Sequence, residues 1–208
     1  MHQRSGCDIT IGYEGHKQSG GVLGRCLYMF DSEQTKRLFL RYAIPCSEVL
    51  IKRGNVKSST IEKIRAKLVK NESVDVDLEK IFTIAIRMLK ILARQQKKKK
   101  IDVETIHEYF WFRHFQAIEQ RNIIYKDIPV QRCIVLPGIV KKETVKTPLG
   151  EKKYKKDFVP DANPGDCVVV HYDYIVEKIT QKQYDDILVF YTKDAAMKNV
   201  LKKFKSQG

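Results

Sequence analysis

Two stretches decide the reading of this 208-residue chain: CIVLPGIV at residues 133–140 and CVVVHYDYIVEKI at residues 167–179. Both are dense in β-branched and aromatic residues, the types that suit a pleated, half-buried surface. Between them, KTPLGEKKYKKDFVPDANPGD at residues 146–166 carries two turn signals, Pro148-Leu149-Gly150 and Asn163-Pro164-Gly165. Several short strands within about 50 residues leave no room for helical crossovers, which predicts a small antiparallel β-barrel.

Outward from this region the period changes to helical. Upstream, DSEQTKRLFLRYAI (31–44) offers Asp31 or Ser32 as N-cap and stops at Pro45, whose missing N–H ends the hydrogen-bond ladder. SSTIEKIRAKLV (58–69) has Ser58 or Ser59 as cap and Ile61, Ile64 and Leu68 on one stripe. In DVDLEKIFTIAIRMLKILARQQ (75–96) the apolar residues recur at three and four, as on a core-facing helix. A fourth helix, DVETIHEYFWFRHFQAIEQR (102–121), is capped by Asp102. Downstream, Thr180 caps QKQYDDILVFY, and DAAMKNVLKKFKS adds Ala196, Val200, Leu201 and Phe204 with lysines in its last turns, as the helix dipole favours.

The predicted fold class is therefore α+β: a helical bundle followed by a barrel with a C-terminal helix. The expected divisions are a helical domain at 29–121, a linker at 122–131, a barrel at 132–179 and a helical tail at 180–208. Residues 1–28 hold six of the eleven glycines and no sustained apolar period. They read as a disordered segment, or as an extension ahead of a start at Met29. The glycines form neither a dinucleotide fingerprint nor a P-loop. The lysines of QQKKKK (95–100) repel one another and predict a solvated linker.

Composition narrows the function classes. No run of about 18 uncharged apolar residues exists to span a bilayer, and the first residues lack a secretory signal, so a cytoplasmic protein without membrane contact is expected. The five cysteines, Cys7, Cys26, Cys46, Cys133 and Cys167, are scattered and odd in number, which argues for reduced thiols. A close-spaced ligand pair such as C-x2-C is missing, so a structural zinc is not expected. A net charge of +14 with a pI near 9.5 calls for an acidic partner, protein or nucleic acid. In the aromatic fourth helix, His107 and His114 lie seven apart and so share a face after two turns, a spacing that lets both line one cleft. Two histidines without a third ligand argue for packing more than for metal.

The strand region resembles a known family. Cys133, three apolar residues, then Pro137-Gly138, and later FVPDANPGDCVVVH, residues 158–171, leading into YIVEKI, are similar to the paired motifs of the HypC/HupF hydrogenase maturation chaperones. The likeness covers roughly residues 132–190. It implies an OB-like barrel with a helical tail, an accessory role without turnover in assembling the nickel-iron centre, and partners that are a HypD-like protein or the hydrogenase large-subunit precursor. It further implies that Cys133 holds iron transiently or contacts the partner, and that His171 is the motif histidine. A thiolate is a soft ligand for low-valent iron and an imidazole can ligate beside it. Under this reading Cys133 is reachable from solvent with a depressed pKa, Pro137-Gly138 and Gly165-Asp166 form turns, and Pro137-Gly138 lets another backbone approach the cysteine. Cys167, four residues before His171, offers a second thiol on the same strand face. One departure stands out: the family's cysteine follows the initiator methionine, whereas Cys133 lies well inside this chain.

The competing reading is a basic OB-like protein that binds nucleic acid, with Tyr154, Tyr172 and Tyr174 as stacking platforms and no metal role. An enzyme has least support, because no nucleophile-base-acid set, paired-carboxylate motif or nucleotide loop is visible.

Overall fold

In a computed structural model, residues 29–114, 130–195, 197, 198 and 202 are described. The expectations for residues 1–28, for the 122–131 linker apart from its last two residues, and for Phe115, Ala196, Val200, Leu201 and Phe204 lie outside them.

The chain is α+β. Helix α1 (Glu33–Ala43) begins where Ser32 accepts a hydrogen bond from the Thr35 amide, and it ends at Ile44 as Pro45 arrives. A short α2 (Ser47–Lys52) follows Pro45-Cys46. Helix α3 (Ser58–Val69) starts at Ser58 itself, so neither serine is the cap: Lys57 holds that position without a side-chain bond. The third predicted helix is broken at Phe82 into α4 (Leu78–Ile81), capped by Asp77, and α5 (Thr83–Gln95). The lysine run is a tight turn in which the Lys97 and Lys98 amides bond back to Arg94 and Ala93, with Lys97 left-handed (φ 57°). Lys98 pairs with Asp102 and Glu104. Helix α6 (Val103–His107) starts at its Asp102 cap, then widens into a π-helical turn over Glu108–Arg113.

A 3-10 turn (Val130–Cys133) leads into the strands. They are β1 (Leu136–Val140), β2 (Val145–Thr147), β3 (Gly150–Lys152), β4 (Cys167–His171) and β5 (Tyr174–Lys178). They form one antiparallel sheet in the order β3-β2-β1-β4-β5. After β3 the chain makes a single parallel bridge from Lys155 to Tyr174; a closed ladder is not formed among the described residues. Helix α7 (Gln181–Lys193) opens on a capping box, Thr180 with Gln183, and packs on β1 and β4.

Helices and sheet share one core. Phe39, Leu40, Ile61, Leu78, Ile86 and Leu89 from the helices join Val168, Val169, Val170, Ile175 and Val176 from β4 and β5 in one continuous buried cluster. Helix α1 lies on β5. There the Tyr42 hydroxyl donates to Glu177 at 2.6 Å and accepts from the Trp111 indole at 2.8 Å. The Glu177 carboxylate also meets His107 Nε2 at 3.0 Å. No helix among the described residues is long and apolar enough to cross a membrane.

Pro137 and Gly138 are not a turn: both lie within β1. The β1–β2 ladder involves only Ile139 and Val140, so the missing proline N–H costs no bond on that side. Gly138 is needed for packing, because a Cβ there would meet Val145 Cγ1 at 2.5 Å. Gly165 does sit in a turn, left-handed at φ +95°. Asp166 closes that turn by accepting from the Asn163 amide at 2.9 Å and pairs with Lys178 at 2.8 Å.

Candidate functional site

Three elements distant in sequence converge on His171, the last residue of β4. Beyond it the chain reverses over Tyr172-Asp173, with Tyr172 left-handed at φ 55°, a conformation that is strained for a bulky side chain. Several contacts hold it there. The Tyr172 amide bonds the Arg132 carbonyl at 3.1 Å, and the Arg132 guanidinium lies 5.0 Å from the Tyr172 ring centroid and 2.9 Å from Asp173. The Tyr172 hydroxyl lies 2.9 Å from Cys133 Sγ.

Helix α1 fixes the imidazole of His171. The Tyr42 carbonyl, one of the last four of that helix, has lost its helical donor, and His171 Nδ1 donates to it at 2.9 Å. A carbonyl only accepts, so this contact places a proton on Nδ1. Burial drives the His171 pKa down to about 4, against a smaller opposing pull from the carbonyls of Tyr42 and Cys133. The ring is thus neutral through the physiological range.

Cys46 Sγ lies against the His171 ring, 3.0 Å from Nε2 and 3.8 Å from Nδ1. Cys46 stands in the turn between α1 and α2 that Pro45 enforces. From the other side His114 Nε2 approaches the same sulfur at 3.6 Å, while its Nδ1 lies 3.3 Å from the Tyr109 hydroxyl. The ligand atoms of Cys46, His114 and His171 all lie within 4.8 Å of one another. His171 is buried and the other two are half-buried. Phe110 walls the group, 5.3 Å from the His114 ring and 6.4 Å from that of His171. Burial pushes the Cys46 thiol pKa well up, with the nearby Cys133 adding to the rise. A nucleophilic cysteine needs the opposite shift.

The π-helical turn brings His114 here. It takes more residues per turn than the 3.6 of an α-helix, so His107 and His114 do not share a face. His107 stacks on Trp111 at 3.8 Å and pairs with Glu177. It stays outside the cluster.

Cys133 does not meet the expectation placed on it. It is 6% exposed, and burial raises its pKa despite the Tyr172 hydroxyl, which acts the other way. Its thiol braces Tyr172, and through that residue the turn that follows His171. Cys167 bonds Gln181 at 3.2 Å at the start of α7 and is not part of the cluster. Tyr172 and Tyr174 are buried, Tyr174 being stacked on Phe158, and half-buried Tyr154 lies under Lys152. Cys46, which sequence reasoning counted only among the scattered thiols, supplies the sulfur. Its partners are 68 and 125 residues away, beyond the reach of any spacing rule.

No family model, curated protein or solved structure matches this chain.

Proposed function

We propose that the chain is an accessory protein of metallocentre assembly, HypC-like in its strand region, that engages a HypD-like protein or a hydrogenase large-subunit precursor and handles iron as cargo. The observation that carries this reading is the juxtaposition of the two motif halves. Leu136, Pro137 and Gly138 of β1 pair with Val170, Val169 and Val168 of β4, and beyond this ladder Cys133 meets Tyr172, next to His171. A chain that passes from β3 at one sheet edge to a bridge with β5 at the other supports the OB-like barrel that goes with it. The thiol role moves in this proposal. Cys133 braces the turn, and the sulfur beside His171 belongs to Cys46.

The test is co-expression with HypD, oxygen-free purification of the pair, and infrared spectroscopy with an iron assay. Cyanide and carbonyl stretches in the co-purified complex, lost in His171→Ala, are expected. Failure of the two proteins to co-purify, or a complex without iron or such bands, would overturn the reading.

A further inference from the structure

We propose that Cys46, His114 and His171 form a binding site for a four-coordinate transition-metal ion of borderline softness, of the zinc class, with one coordination position left to an exogenous ligand. The proposal stands on the geometry of the three side chains and is independent of any hydrogenase partner.

The donor set is that of transition-metal sites: one sulfur and two imidazole nitrogens suit borderline and soft ions and disfavour magnesium and calcium. The spacing fits. Zinc bonds of about 2.3 Å to sulfur and 2.0–2.1 Å to nitrogen at a tetrahedral angle place sulfur and nitrogen about 3.5 Å apart. Cys46 Sγ to His114 Nε2 is 3.6 Å, and the 3.0 Å to His171 Nε2 needs an opening of about half an ångström. Both imidazoles are oriented as metal ligands are. An oxygen sits at each Nδ1, the Tyr42 carbonyl for His171 and the Tyr109 hydroxyl for His114, and such an outer partner holds a ligand ring in place while its Nε2 is the nitrogen nearer the sulfur.

Among the described residues the group has three members and no fourth Cys, His, Asp or Glu. Three protein ligands with an open position mark sites where a ligand or the ion itself exchanges, in contrast to the closed four-ligand sites that only stabilise a fold. The three ligands come from the α1–α2 turn, the π turn and the end of β4, so a bound ion ties helices to sheet.

The experiment uses the full chain, stripped with chelator and titrated with cobalt(II) under reducing conditions, then with zinc. The expected result is one cobalt per chain with a thiolate-to-cobalt charge-transfer band and the intense visible bands of a tetrahedral ion, displaced by zinc. Cys46→Ser abolishes the charge-transfer band, and His114→Ala, at a half-buried position, weakens binding by more than about 100-fold, the upper end of what loss of an outer-shell partner costs. Cys167→Ala, outside the cluster, retains both bands. Octahedral spectra without charge transfer, a band that survives Cys46→Ser, or one lost in Cys167→Ala would overturn the assignment. Because no partner is present, the outcome is separate from that of the co-expression test.

Discussion

Substituting Gly138 by alanine tests whether this glycine serves the fold or a visitor. The added Cβ lies 2.5 Å from Val145 Cγ1, 3.2 Å from the Lys146 carbonyl oxygen and 3.3 Å from Thr147 Cγ2. Carbon atoms prefer about 3.5–4.0 Å, so the first contact overlaps by about 1 Å. Val145 is 1% exposed and β-branched, hence confined to few rotamers, and a backbone oxygen on the same strand cannot retreat without breaking the β1–β2 ladder. Overpacking of this kind costs about 1–3 kcal/mol. The backbone of Gly138 is outside the left-handed region, so alanine recovers about 0.4–1 kcal/mol by restricting the unfolded chain. The expected net loss is about 1–2 kcal/mol.

A double-mutant cycle isolates the contact. Val145→Ala removes two methyl groups from a buried site and costs about 2 kcal/mol alone. In Gly138→Ala/Val145→Ala the new methyl enters the space those groups leave, so the combined loss falls short of the sum by at least about 1 kcal/mol. Equilibrium urea unfolding of the four proteins, with unchanged m-values, reads the result. Additivity within about 0.5 kcal/mol, or a Gly138→Ala protein as stable as wild type, refutes the packing account. It would return the glycine to the role expected from sequence, that of admitting another backbone.

Two further outcomes follow from the buried polar groups. Tyr42→Phe strands the Trp111 N–H and removes a charge-assisted bond to Glu177; a loss of about 2–4 kcal/mol in urea unfolding is expected, and a loss below about 0.5 kcal/mol would refute the network. His171 has a folded pKa of about 4 against an ordinary value of 6.5, so between these pH values the unfolded chain binds a proton that the native one does not. Stability is full above about pH 6.5, declines by about 3 kcal/mol towards pH 4, and levels off below; in chelator-treated His171→Gln this part of the decline is absent, and equal slopes in the two proteins would refute the assignment.

What could be read from sequence was local. Ser32, Asp102 and Thr180 act as caps because each needs only its own next three residues, and Pro45 stops α1 for an equally local reason. The strands around β1, β4 and β5 announced themselves through β-branched residues, and Asn163-Pro164-Gly165 marked its turn. Less visible were α2, six residues long and without a period of its own, the break at Phe82, and the hairpin of β2 and β3, whose three-residue strands are masked by lysines. The π turn was invisible, and it is what makes the seven-residue spacing of His107 and His114 misleading. His114 and His171 were both singled out, but nothing in the chain joins them to Cys46, because the convergence exists only after α1, the π turn and β4 have packed.

That dependence bears on what the helices do. If they merely flanked the strands, the residues at their contacts with β5 would be apolar, yet Tyr42 and His107 both engage Glu177 there, and the Tyr42 carbonyl fixes the tautomer of His171. One residue, Tyr42, thus serves two tasks: its hydroxyl anchors α1 to the sheet and its carbonyl holds an imidazole against the next turn of its own chain. Displacing α1 from β5 would therefore take Cys46 away from His171 and release the Nδ1 proton in the same movement. The Cys46–His114–His171 group and the helix–sheet contact thus share Tyr42, and Glu177→Gln is expected to weaken cobalt binding by the full chain.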